Sequence, residues 1–160
     1  MAEHFPVTGI HTLATIGYQS ATMRSFLETL VSANVKLLVD VRAVAMSRRP
    51  GFAKTALSAN LHEAGIDYLH FRKLGTPPDG RAAARAGNHD EMHRIFREQL
   101  ATPAAQDELR LLSELVQGAR PVAIMCFEAE ARYCHRRIVA NAVADLMPVQ
   151  IVDLMPDVSE

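Results

Sequence analysis

The stretch Val35-Lys-Leu-Leu-Val-Asp-Val41 decides the fold class. Its centre, Leu37-Leu38-Val39, is a short unbroken apolar run. Strands that read this way are covered on both faces, and they belong to parallel sheets sandwiched between helices. Upstream, Ser20 or Thr22 is placed to cap a helix whose Met23, Phe26, Leu27, Leu30 and Val31 repeat at the helical period, with Asn34 closing it. Before that helix, Leu13 to Ile16 reads as a strand ending in Gly17. Downstream, a basic loop from Arg42 to Lys54 leads to a helix opened by Thr55 and stopped by Gly65, then to an alternating strand from Ile66 to Phe71. The segment from Arg72 to Asn88 has no apolar period and is expected to be a long loop. Two helices, His89 to Leu100 and Ala105 to Gln117, precede the strongest strand, Val122 to Cys126. An amphipathic helix from Cys134 to Leu146 and a last strand from Val149 to Asp153 complete the chain. Strands alternating with helices predict an α/β fold: three layers, a mostly parallel sheet of about five strands, helices on both faces and right-handed, Rossmann-like crossovers.

Length and composition agree with one domain, its core between residues 13 and 153, with the first few residues and the acidic tail after Leu154 expected to fray. Of the 160 residues, 49% are hydrophobic and 22% charged, which argues against disorder. The longest apolar run, Val122 to Phe127, is too short to span a bilayer, so no membrane role is expected. Two cysteines are too few for a secreted disulfide framework, and a cytoplasmic location is expected. The net charge of -1 gives no global argument for nucleic-acid binding, yet the segment Arg42 to Arg97 carries ten basic and five acidic residues. That imbalance points to an anion-facing surface, with a solvated basic loop as the plainer alternative.

Ligands of an open parallel sheet bind beyond the carboxyl ends of its strands. Those ends present Gly17 and Tyr18, Asp40 and Arg42, His70 and Arg72, and Cys126 with Glu128; the helix at Cys134-His135-Arg136 opens at the same edge. Ser47, Arg48 and Arg49 lie in the loop that follows Arg42, where arginine supplies forked donors for phosphate or carboxylate. We therefore expect Gly17, Tyr18, Asp40, Arg42, Ser47, Arg48, Arg49 and Arg136 to hold an anion. Cys126, Glu128, Cys134 and His135 are the catalytic candidates: the cysteines as nucleophiles, Glu128 and His135 as acid and base. Each has a plainer reading. Asp40 can simply pair with Arg42, Glu128 and Glu130 can neutralise the nearby arginines, and His70 on an alternating strand is a packed histidine.

Two sharper readings are weaker on the sequence, the first of them, rhodanese- or phosphatase-like cysteine chemistry, kept as a further alternative for the function. Cys126 and Arg132 have the C-x5-R spacing of rhodanese and cysteine-phosphatase loops, but Glu128 and Glu130 fall inside the cradle and no glycine turns amides inward. A metal centre built from Cys126, Cys134 and His135, with His70 or Asp40 as fourth ligand, matches no standard zinc spacing, and adjacent Cys134 and His135 are expected on different helix faces. No metal and no cofactor is therefore called for.

Five motifs in order carry a resemblance: Thr15-Ile-Gly-Tyr18, Leu38-Val-Asp-Val-Arg42, Ser47-Arg-Arg-Pro-Gly-Phe52, Leu74-Gly75, and Cys126-x-Glu128 followed by Cys134-His-Arg136. With them the chain resembles the bacterial and archaeal family catalogued as domain of unknown function 488. The resemblance implies a fold and a set of site positions and no established reaction. The sequence departs from the family pattern at Ala45, where a proline is usual, at Thr76, where a second glycine is usual, and at Arg137, where a small polar residue is frequent. Together these readings favour an enzyme acting on an anionic small molecule or nucleotide at a strand-end pocket. The alternative is a non-catalytic module binding nucleic acid or a partner protein, which nine aromatic residues without tryptophan make the weaker reading.

Overall fold

A computed structural model describes residues 11–157; most of the N-terminal segment expected to fray, and the last three residues of the tail, lie outside the described residues. The chain runs β1 (His11–Gly17), α1 (Met23–Ser32), β2 (Leu37–Asp40), α2 (Lys54–Glu63), β3 (Asp67–His70), α3 (Pro78–Arg85), α4 (His89–Leu100), α5 (Pro103–Gln117), β4 (Val122–Cys126), α6 (His135–Leu146) and β5 (Val149–Leu154). Single 3-10 turns cover Arg72–Leu74 and Ala131–Tyr133. The five strands form one all-parallel sheet in the order β3-β2-β4-β1-β5.

That order follows from handedness. Connections that step one way along the sheet put their helices on one face, and connections that step back put theirs on the other. α1 and α2 carry the chain from β1 to β2 and on to β3. Their Phe26, Leu30, Leu57 and Leu61 pack with Leu38, Ala123 and Met125 into one core layer. α4, α5 and α6 carry it back across to β4 and β5, and their Phe96, Leu112 and Val139 meet Leu37, Val39 and Ile124 on the opposite face. β2 and β4 are buried at every position, which accounts for their uninterrupted apolar runs. Among the described residues no helix is long and apolar enough to cross a membrane.

One sequence expectation is corrected. The stretch from Arg72 to Asn88 is not a loop: Pro78-Asp-Gly-Arg-Ala-Ala-Ala-Arg85 forms α3, with proline in its first turn, Asp79 at its positive end and Arg85 at its negative end. Alanine favours the helix through its backbone and leaves no large apolar stripe for a periodicity argument to find. Small differences elsewhere concern ends. Lys54 rather than Thr55 opens α2, and Cys134 stands just before α6 as its cap, its sulfur accepting the Arg136 amide at 3.5 Å.

Candidate functional site

β4 has β1 on one side and β2 on the other, and the connection leaving β4 goes to the face opposite those leaving its two neighbours. The chain thus parts at the carboxyl end of β4, the place where open α/β sheets open a crevice. A cleft of about 850 Å³ lies there. A smaller hollow of about 370 Å³ at the start of β2 and β3, lined by Leu37, His62 and Arg120 among others, gathers none of the strand-end chemistry.

Seven of the residues singled out from the sequence line the large cleft: Tyr18, Arg42, Ser47, Arg48, Cys126, Glu128 and His135. The other five stand behind its wall. Gly17 is there because nothing larger fits: a Cβ on it would lie 1.8 Å from the Glu128 carbonyl oxygen. Its strand end receives the loop after β4, whose Phe127 carbonyl accepts the amides of Tyr18 at 3.1 Å and Gln19 at 2.8 Å. Asp40 is completely buried beneath Arg42. Its carboxylate accepts Nε and Nη2 of Arg42, the Arg42 amide, and the Tyr68 hydroxyl at 2.6 Å. Arg42 then gives Nη1 to the Tyr18 hydroxyl at 3.0 Å. Burial opposes its charge, but the Asp40 carboxylate outweighs that and holds the guanidinium above its ordinary pKa. Arg42 therefore reaches the cleft with its charge already matched.

Arg49 and Arg136 were expected at the anion and are committed elsewhere. Arg49 turns away and donates to the Ala21 carbonyl, while its amide donates to the Ser47 hydroxyl. Arg136, fully buried, donates to the carbonyls of Glu128 and Ala129 and lies 3.4 Å from the Cys126 sulfur. It ties the loop after β4 to the start of α6, and burial pushes its guanidinium down to about 10, still charged at neutral pH. Arg137 pairs with Asp153 of β5. The C-x5-R spacing closes no cradle: Arg132 is exposed, paired with Glu130 at 2.9 Å and stacked over the Tyr133 ring.

At the floor, Cys126 and Cys134 face each other with their sulfurs paired and their Cα atoms 7.3 Å apart. His135 is turned toward them. Its Nε2–H donates to the Val41 carbonyl at 2.7 Å, which leaves Nδ1 3.8 Å from the Cys134 sulfur. Burial lowers the imidazole to about 4, the Val41 bond opposing, so His135 is neutral at neutral pH rather than poised to exchange protons there. The Cys126 and Cys134 sulfurs and a His135 nitrogen all lie within 4.8 Å of one another. The expectation that Cys134 and His135 face apart is therefore corrected: Cys134 precedes the helix in extended backbone, so helical spacing does not separate them. Glu128 is also raised above the ordinary carboxyl range by burial, with Arg136 opposing.

Reading the sequence missed the far wall. Arg81 and Arg85 of α3, Thr76 and His89 line the cleft. Four residues apart on a helix, Arg81 and Arg85 share a face. Their spacing is visible in the sequence only once residues 78–85 are read as helix. Val44, Met46, Phe127 and Tyr133, all substantially exposed, add apolar surface to the same cleft. The family model described as "Domain of unknown function DUF488" matches residues 22–143. No curated protein matches the chain.

Proposed function

The chain belongs to the family described as domain of unknown function DUF488, and from that premise we propose that its strand-end cleft is an enzyme site for an anionic, phosphate-bearing or nucleotide-like small molecule. One observation carries this reading. Arg48, Arg81 and Arg85 line the cleft, and among the described residues none of the three has a carboxylate partner; Arg81 gives only Nη1, to the Thr76 carbonyl at 2.9 Å, and its other donors face no acid. Guanidinium groups without a carboxylate partner around a concave site are the donors that planar, bidentate recognition of phosphate or carboxylate uses. The apolar surface of Met46, Phe127 and Tyr133 suits a flat or apolar portion of the same molecule. Cys126 and Glu128 are the groups this reading places against its reacting end. A compact pocket with sulfur and carboxyl groups at its floor fits a small molecule better than an extended polyanion, whose track needs a charged groove with stacking platforms.

Calorimetric titration with nucleoside mono- and diphosphates and sugar phosphates tests the reading. We expect saturable one-to-one binding by at least one class. Arg48→Ala and Arg85→Ala should each weaken it about tenfold or more, the value of one charge-assisted contact. No binding by any of these anions, or undiminished affinity in the double variant, overturns it.

A further inference from the structure

The floor of the cleft carries more than the anion reading uses. Cys126, Cys134 and His135 bring two sulfurs and one imidazole nitrogen within 4.8 Å of one another, all three residues buried. We propose that these three residues, in the dithiol form of the cysteine pair, ligate a zinc-class divalent ion whose fourth coordination position opens into the cleft.

The spacing is the first argument. Ligand atoms on one tetrahedral zinc, with bonds of about 2.3 Å to sulfur and about 2.0 Å to nitrogen, sit about 3.5–3.8 Å from each other. The 3.8 Å between His135 Nδ1 and the Cys134 sulfur already falls in that range, while the two sulfurs, paired here, must part to reach it. The Cα separation of 7.3 Å between Cys126 and Cys134 exceeds the span of up to about 6.8 Å usual for a disulfide. Two thiolates held apart by an ion between them suit it better.

The surroundings are the second argument. A ligating histidine ordinarily donates its other ring N–H to a carbonyl or carboxylate, which fixes the tautomer and aims the lone pair. The bond from His135 Nε2 to the Val41 carbonyl does that, and the nitrogen left over is the one facing the sulfurs. Both thiolates also have their negative charge answered. The Arg136 guanidinium lies 3.4 Å from the Cys126 sulfur, and the Arg136 amide at the start of α6 points at the Cys134 sulfur. Two sulfurs and one imidazole are a borderline-soft set that selects zinc over magnesium or calcium. Three protein ligands with an open fourth position is the arrangement of catalytic rather than structural zinc.

The site takes an ion only with both sulfurs reduced, so where they are joined the pair is opened first. A dithiol or phosphine reductant supplies two electrons and is itself oxidised, to a disulfide or a phosphine oxide. Solvent provides the two protons where the reductant does not, and metal binding then displaces both thiol protons to solvent. This inference does not rest on the anion reading, because the ion is detected with no substrate present.

The experiment is an anaerobic cobalt titration of the phosphine-reduced full chain. We expect one equivalent to give the intense visible bands of tetrahedral cobalt together with sulfur-to-cobalt charge transfer in the near ultraviolet, and zinc to bleach both. Cys126→Ser and Cys134→Ser should each lose most of the charge-transfer intensity. His135→Gln, which removes a ligand and leaves both thiolates, should keep that intensity but bind far more weakly. Arg132→Ala, exposed and away from the ligand set, should titrate as wild type. Reduced wild-type protein that shows no charge-transfer band overturns the proposal without any variant having to fold. So does a band that persists in the folded Cys126→Ser, Cys134→Ser double variant.

Discussion

Asp40 and Arg42 illustrate how a single residue pair fixes the cleft wall. The carboxylate is wholly enclosed and accepts from Arg42 twice over and from Tyr68. Replacing Asp40 by Ala leaves a buried guanidinium uncompensated, and we expect a loss of about 3–5 kcal/mol in urea denaturation. Tyr68 reports on the same contact through pH. Burial first, then the Asp40 carboxylate, raise its phenol above the ordinary value near 10, with Arg42 opposing. A group whose folded-state pKa is raised contributes stability that is complete below its unfolded value and is lost as pH rises past it. Stability should therefore fall with rising pH above about 10, less so in Tyr68→Phe, and the Tyr68 phenolate absorbance should emerge above the range shown by the unfolded chain. Gly17 sets a different limit. Gly17→Ala drives a methyl into the Glu128 carbonyl, backbone that cannot rotate away. We expect about 1–3 kcal/mol of destabilisation and a weaker anion site, read by denaturation and calorimetry on the same sample.

At the scale of elements, most of the fold was legible because its signals are local. α1 shows the pattern: the Thr22 hydroxyl accepts the Ser25 amide at 3.0 Å, the Ser25 hydroxyl accepts the Thr22 amide at 3.1 Å, and Asn34 leaves the helix at a φ of 62°. Thr22→Ala should cost about 1 kcal/mol in thermal or urea unfolding. α3 was not legible, since alanines carry no apolar period, and with it two arginines of the cleft went unseen. Gly80 sets how close that helix sits, as a Cβ there would lie 2.4 Å from the Thr76 methyl and 3.2 Å from Ile95. In Gly80→Ala the gain in helix propensity, about 1 kcal/mol, works against the clash. Stability should therefore change little while anion affinity falls as Arg81 and Arg85 are pushed outward. The commitments of Arg136 were hidden for another reason: its partners are main-chain carbonyls, which no side-chain pattern marks.

For the whole molecule, convergence of the strand ends at one edge was readable from the alternation of strands and helices; the order of the strands was not. Pairing between β1 and β4 joins residues more than a hundred positions apart, and no local signal records it. Of the basic residues in the middle segment, Arg42, Arg48, Arg81 and Arg85 line the cleft. A ligand that binds only the folded chain stabilises it by about 2.7 kcal/mol at a hundredfold excess over Kd. For a chain of this length that raises the melting temperature by about 5–10 °C, and thermal unfolding with and without the tightest anion measures it.

The strand order also bears on how the protein is made. β1 and β2 emerge from the ribosome well before β4, yet they do not pair with each other: each lies against β4, which follows some eighty residues after β2. Until that central strand is synthesised, the early strands have a gap between them where backbone hydrogen bonds should be. A nascent chain ending at the close of α5 therefore has β1 without either of its partners and β2 without one of its two, and cannot close its sheet. Folding must wait for β4, and during that wait the unpaired strands are the part a chaperone would need to shield.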